Sequence, residues 1–530
     1  MNRPNILWIS LEDTSPRFSC YGDEVARTPN IDRLAAAGCI YPRAFSVAGV
    51  CAPSRAAIIT GMYPTAIGAH QMRTSTNVDP DRPSPYQACP PPYVKCFTEY
   101  LRGAGYYCTN NRKTDYQFEP PLTAWDELGD EAHWRNRPQD TPFFAVFNPT
   151  VTHESGMWPE KHEGQPLRTD VEAVELPPYL PNTPVCREAL ARHYDNLETA
   201  DGRVGELLDQ LEADGLANDT IVVLWSDHGE GLPRAKRWPY DAGIRIPLIV
   251  RWPGQVKAGS VEERLVSLID LGPTMLSLTG TVRPRHLQGR PFLGPDAEPR
   301  QYIYASRDRH DEAHDRVRAV RDRRYKYLRH YYPERPYLLW NPYRNRHPVT
   351  QEMWRLYREG GLQGDQQLMF DTPRPAEELY DTKADPFEMV NLADDPEYGP
   401  VLERLRTALE NWQDETGDLG EVAEEEMMRR FWPDGEQPHT SPARCVPIAA
   451  ETHGLELLSE GTFSAPCRLQ LHCATQGASM TYRTDSDREG RWRLYTEPID
   501  LPPGTTTIRT RAVRIGYADS DELVARFTVA

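Results

Sequence analysis

Five consecutive residues, Cys51-Ala52-Pro53-Ser54-Arg55, combine a nucleophile, a helix start and a fixed cation. They follow small and apolar residues from Ala44 to Val50 and lead into Ala56-Ala57-Ile58-Ile59-Thr60-Gly61. Proline suits a first helical turn, because its missing N–H would lack an intrahelical partner there anyway. Cys51 is therefore expected at a helix entrance, where free backbone N–H groups and the positive dipole end favour an anion. Arg55 lies one turn further on, on the same helix face. The spacing by itself also suits a buried structural cysteine before a capped helix.

Two further pairs stand where a cation could be held. Glu12-Asp13 follows the apolar run Ile6–Leu11, and Asp227-His228 follows Ile221–Trp225. If both runs are strands of one parallel sheet, the pairs share the rim beyond the carboxyl ends, where ligands of α/β sheets bind. Carboxylates from separate strand ends can supply the oxygens a hard cation needs. An acidic residue after a strand can equally cap a helix, as Asp13 or Ser10 could. His228 brings a nitrogen to the set, which leaves magnesium and manganese open beside calcium.

The elements that must position these residues are legible from periodicity. Ile6–Leu11, Phe143–Phe147, Ile221–Trp225 and Leu248–Arg251 are short apolar runs of strand type. Between them, Ile31–Ala37, Cys96–Ala104 and a long segment from Arg187 to Ala213 repeat at helical spacing, the last stopping at Gly215. Strand–helix alternation predicts an α/β domain with a mainly parallel central sheet flanked by helices. Arg316–Val320 and Tyr325–Leu328 read as strands of a smaller antiparallel subdomain. From Gly454 onward Arg468–His472, Met480–Thr484, Thr506–Ala512 and Leu523–Val529 alternate as a small β-sandwich does. The expected domains are 1–300, 301–422, a charged and Pro/Gly-bearing connector at 423–453, and the sandwich at 454–530. The sandwich suits either an accessory carbohydrate or dimer contact or a structural cap.

With these motifs in order, the chain resembles the type I sulfatase family over roughly residues 3–395. The resemblance is carried by Pro4–Ile9 with Glu12-Asp13, Thr28–Leu34, Cys51–Arg55 with Thr60–Pro64, Ser226–Gly229, Gly243–Leu248, Glu378–Asp381 and Asn391–Ala393. It implies an alkaline-phosphatase-like fold, and oxidation of Cys51 by a formylglycine-generating maturation enzyme to an aldehyde that works as its hydrate. It also implies one divalent cation, calcium in the first place, held by Glu12, Asp13, Asp227, His228 and the modified Cys51. One hydroxyl of the hydrate would attack sulfur, and the second would let the sulfated intermediate collapse and release sulfate. Arg55, Lys113 and Lys236 would hold sulfate oxygens, and His153 or Lys236 would protonate the leaving group. Asp115 stands where the family commonly has His.

The Pro-rich stretch Leu176–Pro184 before a helix carrying Ala200–Val204 resembles the branch containing heparan N-sulfatases. That branch implies a sulfated glucosamine of a heparan-type glycan, N- or 6-O-linked, with His70, Arg73, Asp115, Asp308 and His310 as candidate sugar contacts. The C-terminal module resembles a β-sandwich seen in some hexosaminidases. A phosphonate monoester or phosphodiester hydrolase built on the same metal and modified cysteine is the alternative. A glycan-binding relative whose Cys51 is never oxidised is the non-enzymatic one.

The formal net charge of −18 argues against nucleic acid as a partner and calls for a local basic pocket if the substrate is anionic. No apolar run reaches about 18 residues, the length a membrane span requires. The ten cysteines include no CxxC pair, which suits reduced thiols. A strand begins almost at the first residue, so the expectation is a cytoplasmic protein as written, or a periplasmic or secreted one if a leader is removed. Oligomeric state stays open.

Overall fold

The computed structural model describes residues 3–72, 86–454, 456–487 and 491–530. The chain divides into two compact units, one of residues 1–82, 146–279 and 287–421, the other of 83–145, 280–286 and 422–530.

In the first unit, five strands lie in the order Ser260–Val261, Cys39–Ile40, Leu248–Arg251, Thr220–Ser226, Asn5–Leu11. Only Leu248–Arg251 runs against the others. Asn5–Leu11 and Thr220–Ser226 are buried along nearly their whole length, as expected of parallel strands covered on both faces. Their register pairs Leu11 with Ser226, so both acidic pairs leave the sheet at the same level.

Helices flank this sheet. The long helix spans Pro184–Ala213 and starts three residues before the apolar periodicity suggests. Thr183 caps it and Pro184 takes the first turn, so its opening residues follow capping chemistry rather than the apolar stripe. Asp201, in its middle, accepts from the Asn30 and Ile31 backbone N–H groups at 3.2 and 2.8 Å. It thereby satisfies the open end of helix Pro29–Ala36, a tertiary cap.

Also in the first unit, Ile303–Arg307, Val317–Arg321, Tyr325–His330 and Glu377–Asp381 form an antiparallel sheet in chain order. Helix Gly399–Thr416 buries Leu405, Leu409 and Trp412 among Val320, Tyr327 and Leu379 of that sheet. Trp412 stacks on Tyr304 at 5.0 Å and meets Tyr63 edge-on at 5.1 Å. Trp412→Ala should therefore cost about 3–5 kcal/mol, read as a drop in the unfolding midpoint. A neutral result would mean that the helix contributes little to this core.

In the second unit, Tyr107–Asn111 pairs in parallel with Glu127–Leu128. Two further sheets enclose a core of Cys445, Phe463, Leu469, Leu471, Ile508, Ala525, Phe527 and Val529. One has the order Arg444–Ile448, Cys467–His472, Ile499–Leu501; the other Glu460–Phe463, Leu523–Val529, Gly504–Val513, Ser479–Thr484, Arg493–Leu494. This is the anticipated β-sandwich, and Cys467–His472 alternates buried and exposed along its length. Within residues 423–453, read from sequence as a connector, the structure has helix Glu424–Phe431 and strand Arg444–Ile448. The strand carries Pro447, which weakens its sequence signal and suits its edge position. Among the described residues no helix is long and apolar enough to cross a membrane.

Candidate active site

Cys51 opens a helix, Cys51–Thr60, whose residues are all buried. The helix is held at its start by Ser54, whose hydroxyl donates to the Asp227 carbonyl at 2.6 Å and accepts from Ser46 at 2.9 Å. One side-chain atom each of Asp13, Cys51, Asp227 and His228 lies within 4.8 Å of all the others, every residue buried. Cys51 Sγ is 3.3 Å from His228 Nε2, and Asp13 Oδ1 is 3.1 Å from the same nitrogen.

The donor set fits a cation. His228 Nδ1 lies 2.9 Å from the Gly229 carbonyl, which can only accept, so the imidazole proton sits there and Nε2 turns its lone pair inward. Asp13 Oδ1, fully buried, accepts no well-aligned hydrogen bond among the described residues. A lone pair and a carboxylate oxygen facing each other across 3.1 Å need a positive charge between them. A divalent ion would supply it; without one, a second proton on His228 does. Burial opposes that proton, but Asp227, Cys51 and Asp13 together raise the His228 pKa well above its usual value.

Gly229 keeps this imidazole in place. A Cβ there would come within 2.0 Å of the Ala242 carbonyl oxygen, and one on Gly243 within 2.1 Å of the Ala235 carbonyl oxygen. Backbone cannot step aside as a side chain can. Gly229→Ala is expected to lower divalent-cation affinity and turnover together by about 10- to 100-fold, as loss of a ligand's outer support does. Calorimetric titration with the metal checks it; an unchanged affinity would show that the loop adapts.

A second group of charges adjoins the first. Lys236 Nζ donates to Asp13 Oδ2 at 2.7 Å and lies 3.1 Å from Glu154 Oε1 and 3.3 Å from His153 Nε2. On the other side of the ring, His153 Nδ1 accepts from the Ser155 backbone N–H at 3.3 Å and lies 2.9 Å from the Ser155 hydroxyl. Arg237 clamps Glu154 through both terminal nitrogens at 3.0 and 2.7 Å. Against the burial that would raise it, Lys236, His153 and His228 hold the Asp13 carboxyl well below the usual range.

The region spanning these residues matches a family model described as sulfatase over residues 4–281, more than half the chain. An ulvan-active sulfatase of Formosa agariphila is 40% identical over 98% of this chain and 90% of its own length. The chain belongs to the sulfatase family. It is accordingly a sulfuric ester hydrolase, and the family uses a divalent cation. A second model, the C-terminal region of N-sulphoglucosamine sulphohydrolase, matches residues 229–371 of this sulfatase. The human N-sulphoglucosamine sulphohydrolase is 27% identical over 84% of this chain and 95% of that protein. Among solved structures, one in complex with D-glucosamine-2-N,6-O-disulfate superposes with a TM-score of 0.56, at 20% identity and over 79% of this chain and all of that one. The phosphonate monoester hydrolase of Agrobacterium radiobacter has a TM-score of 0.51, at 18% identity over 78% and 96%. These two share the fold.

The sulfatase geometry places the sequence candidates unevenly. Cys51, Asp13, Asp227, His228, His153 and Lys236 come together. Glu12 does not join the four converging atoms: its Oε1 accepts from Arg55 Nη2 at 2.9 Å. Arg55 in turn donates Nε to Asp227 at 3.0 Å, Nη1 to Asn148 at 3.0 Å and Nη2 to Ser10 at 3.2 Å. Its guanidinium thus orients the carboxylates behind the cluster. Lys113 and Asp115 belong to the second unit, where they form an ion pair of 3.2 Å. His70 is buried, and Asp308 is clamped by both terminal nitrogens of Arg318 at 3.0 and 2.9 Å. His310 is buried, with no partner for Nδ1 among the described residues. Arg73 lies outside the described residues.

Four residues of this site escaped the sequence reading. Glu154 and Arg237 each adjoin a residue that was singled out, and that adjacency was their only signal. Asn148 follows a strand without other distinction. Tyr343 sits nearly two hundred residues beyond His153 in the chain, yet their rings lie 6.4 Å apart. No local pattern marks it.

Proposed function

We propose that this sulfatase removes sulfo groups from a sulfated polysaccharide, using a formylglycine made from Cys51 and a divalent cation held by Asp13, Asp227 and His228. The observation that carries the reading is the convergence of those three side chains on Cys51 at a buried helix start. Cys51 Sγ stands in for a hydroxyl oxygen of the aldehyde hydrate. Formed there, the hydrate would offer one hydroxyl for attack on sulfur and a second for release of sulfate. Held by Asp13, Asp227 and His228, the cation would supply Lewis acidity toward the attacking hydroxyl and the sulfate oxygens.

The chain's own groups do the rest. The Cys51 helix start presents free N–H groups to developing oxyanion charge. Lys236 binds a sulfate oxygen, and the His153–Lys236 pair, 3.3 Å apart, hands a proton to the leaving oxygen. Glu154 and Arg237 hold Lys236 in place through a buried network. Arg55 acts through Glu12 and Asp227.

Ulvan is the first substrate candidate, because the relative active on it matches nearly the whole chain at 40%. N- or 6-O-sulfated glucosamine is the second, supported by the match over residues 229–371. The phosphonate reading has a shared fold behind it and nothing more. The test is sulfate release by aldehyde-bearing protein from ulvan oligosaccharides, N-sulfoglucosamine, 6-O-sulfated N-acetylglucosamine and a phosphonate monoester. Release from any sulfated sugar supports the proposal, and silence on all three with phosphonate turnover overturns it.

Chelation with EDTA should abolish turnover, and readdition should restore it. Calcium, magnesium and manganese are compared in that order. An imidazole among the ligands weakens the preference for calcium that an all-oxygen site would show. Full activity after exhaustive chelation would remove the cation from the mechanism.

A further inference from the structure

The loop from Leu339 to His347 brings a buried cation to the edge of the site that no part of the sulfate chemistry uses. Arg344 is only 5% exposed, yet among the described residues no carboxylate pairs with it. Its Nη2 donates to the Leu339 carbonyl, its backbone N–H to Asn341 Oδ1 at 2.9 Å, and its Nε has no partner among the described residues. The neighbouring cations are all engaged: Arg237 with Glu154, and Arg307 with Asp315 at 3.0 Å and over the Trp238 ring at 3.8 Å. Glu154 and Asp311 lie within electrostatic reach, but Glu154 is clamped by Arg237 and Asp311 Oδ2 accepts from the Asn341 amide at 3.1 Å. His310, whose carbonyl also accepts from Asn341 at 3.2 Å, adds a buried ring with a bare Nδ1.

We propose that Arg344 and His310 form a second anion subsite beside the sulfate-ester centre, taking a carboxylate or a second sulfo group of the sugar substrate. The subsite is tied to the centre through Tyr343, which precedes Arg344 in the chain and faces His153. A buried guanidinium without a counter-ion is expensive unless something supplies the charge. Burial first, then Arg237 and Arg307, push the Arg344 pKa down, and Glu154 and Asp311 offset this only in part. A guanidinium does not shed its proton, so the remedy is an anion. Its planar fork suits a carboxylate or sulfo group over a phosphate-like point contact with lysine.

This inference rests on the glycan reading above, and binding to protein that cannot turn over separates the two. The Cys51→Ala protein is titrated with 6-O-sulfated N-acetylglucosamine and its N-sulfo analogue, and with ulvan oligosaccharides before and after reduction of their carboxylates to alcohols. The doubly anionic member of one pair should bind about 10- to 100-fold tighter, the range of a charge-assisted hydrogen bond. The first pair reports a sulfo group and the second a carboxylate. Adding Arg344→Gln should remove most of that preference, and Arg344→Lys, which keeps the charge and loses the fork, should restore part of it. Equal affinities within both pairs, no binding by any of the four, or a preference that survives Arg344→Gln would overturn the subsite. A preserved preference in binding together with no sulfate release by mature protein would instead count against the proposed activity alone.

Discussion

Cys51→Ala should lower sulfate release by about four orders of magnitude or more, as removal of a nucleophile does elsewhere. The residual helix start, Lys236 and cation would still bind a sulfate, so substrate affinity should fall far less than turnover. Cys51→Ser is the sharper probe. It restores one hydroxyl at the position of Sγ but not a second on the same carbon. Such a residue can accept a sulfo group and cannot expel it by collapse to an aldehyde. A stable sulfated adduct on the introduced serine, seen by mass spectrometry with at most one equivalent of alcohol released, is the expected result. Multiple turnovers by either variant would sink the covalent route, because nothing else at the helix start can take its place.

Arg55→Met should destabilise the enzyme rather than merely slow it. Arg55 is 4% exposed and joins Glu12 and Asp227, 1% and 0% exposed, in one buried network. Taking away the guanidinium removes the charge partner shared by two buried carboxylates, a loss of about 3–5 kcal/mol. The thermal midpoint should fall by about 5 °C or more for a unit of this size. Arg55→Lys keeps the charge but reaches fewer of the four partners, so its midpoint should lie between. If Arg55 instead gripped sulfate directly, the methionine variant would keep its midpoint and raise KM. Calorimetry beside steady-state kinetics distinguishes the two.

Both expectations depend on features of different legibility. The helix at Cys51 was readable because Pro53, Ser54 and the alanine-rich run after them act within one or two turns. So were the strands Asn5–Leu11 and Thr220–Ser226, whose apolar runs are bounded by turn residues. Sequence order then implied a shared rim, and the Leu11–Ser226 register realises it. The sandwich strands Cys467–His472 and Leu523–Val529 followed from alternation, while the short Arg493–Leu494 and Ile499–Leu501 carry too few residues to show any.

The partners of the charged residues were not readable. Glu12 and Asp13 look interchangeable in sequence. Successive side chains at a strand end diverge, and Asp13 adopts a φ of 46°, so one faces Arg55 and the other the cluster. Asp308, a candidate sugar contact by sequence, pairs with Arg318, ten positions on and across a hairpin, and no local pattern shows it. Arg344 looked like one of many arginines. Its meaning lies in the carboxylate it lacks.

From sequence alone came the family's motifs, the order of the elements, the nucleophile position and the class of chemistry, all written in neighbours a few residues apart. Tertiary structure alone decided which carboxylate faces the cation site, which cation supports it from behind, and which arginine is left over. The physical reason is range. Backbone preferences are settled by contacts within a turn, whereas a buried charge is defined by whatever distant segment the fold brings within about 4 Å of it, where removal from water makes that one partner decisive.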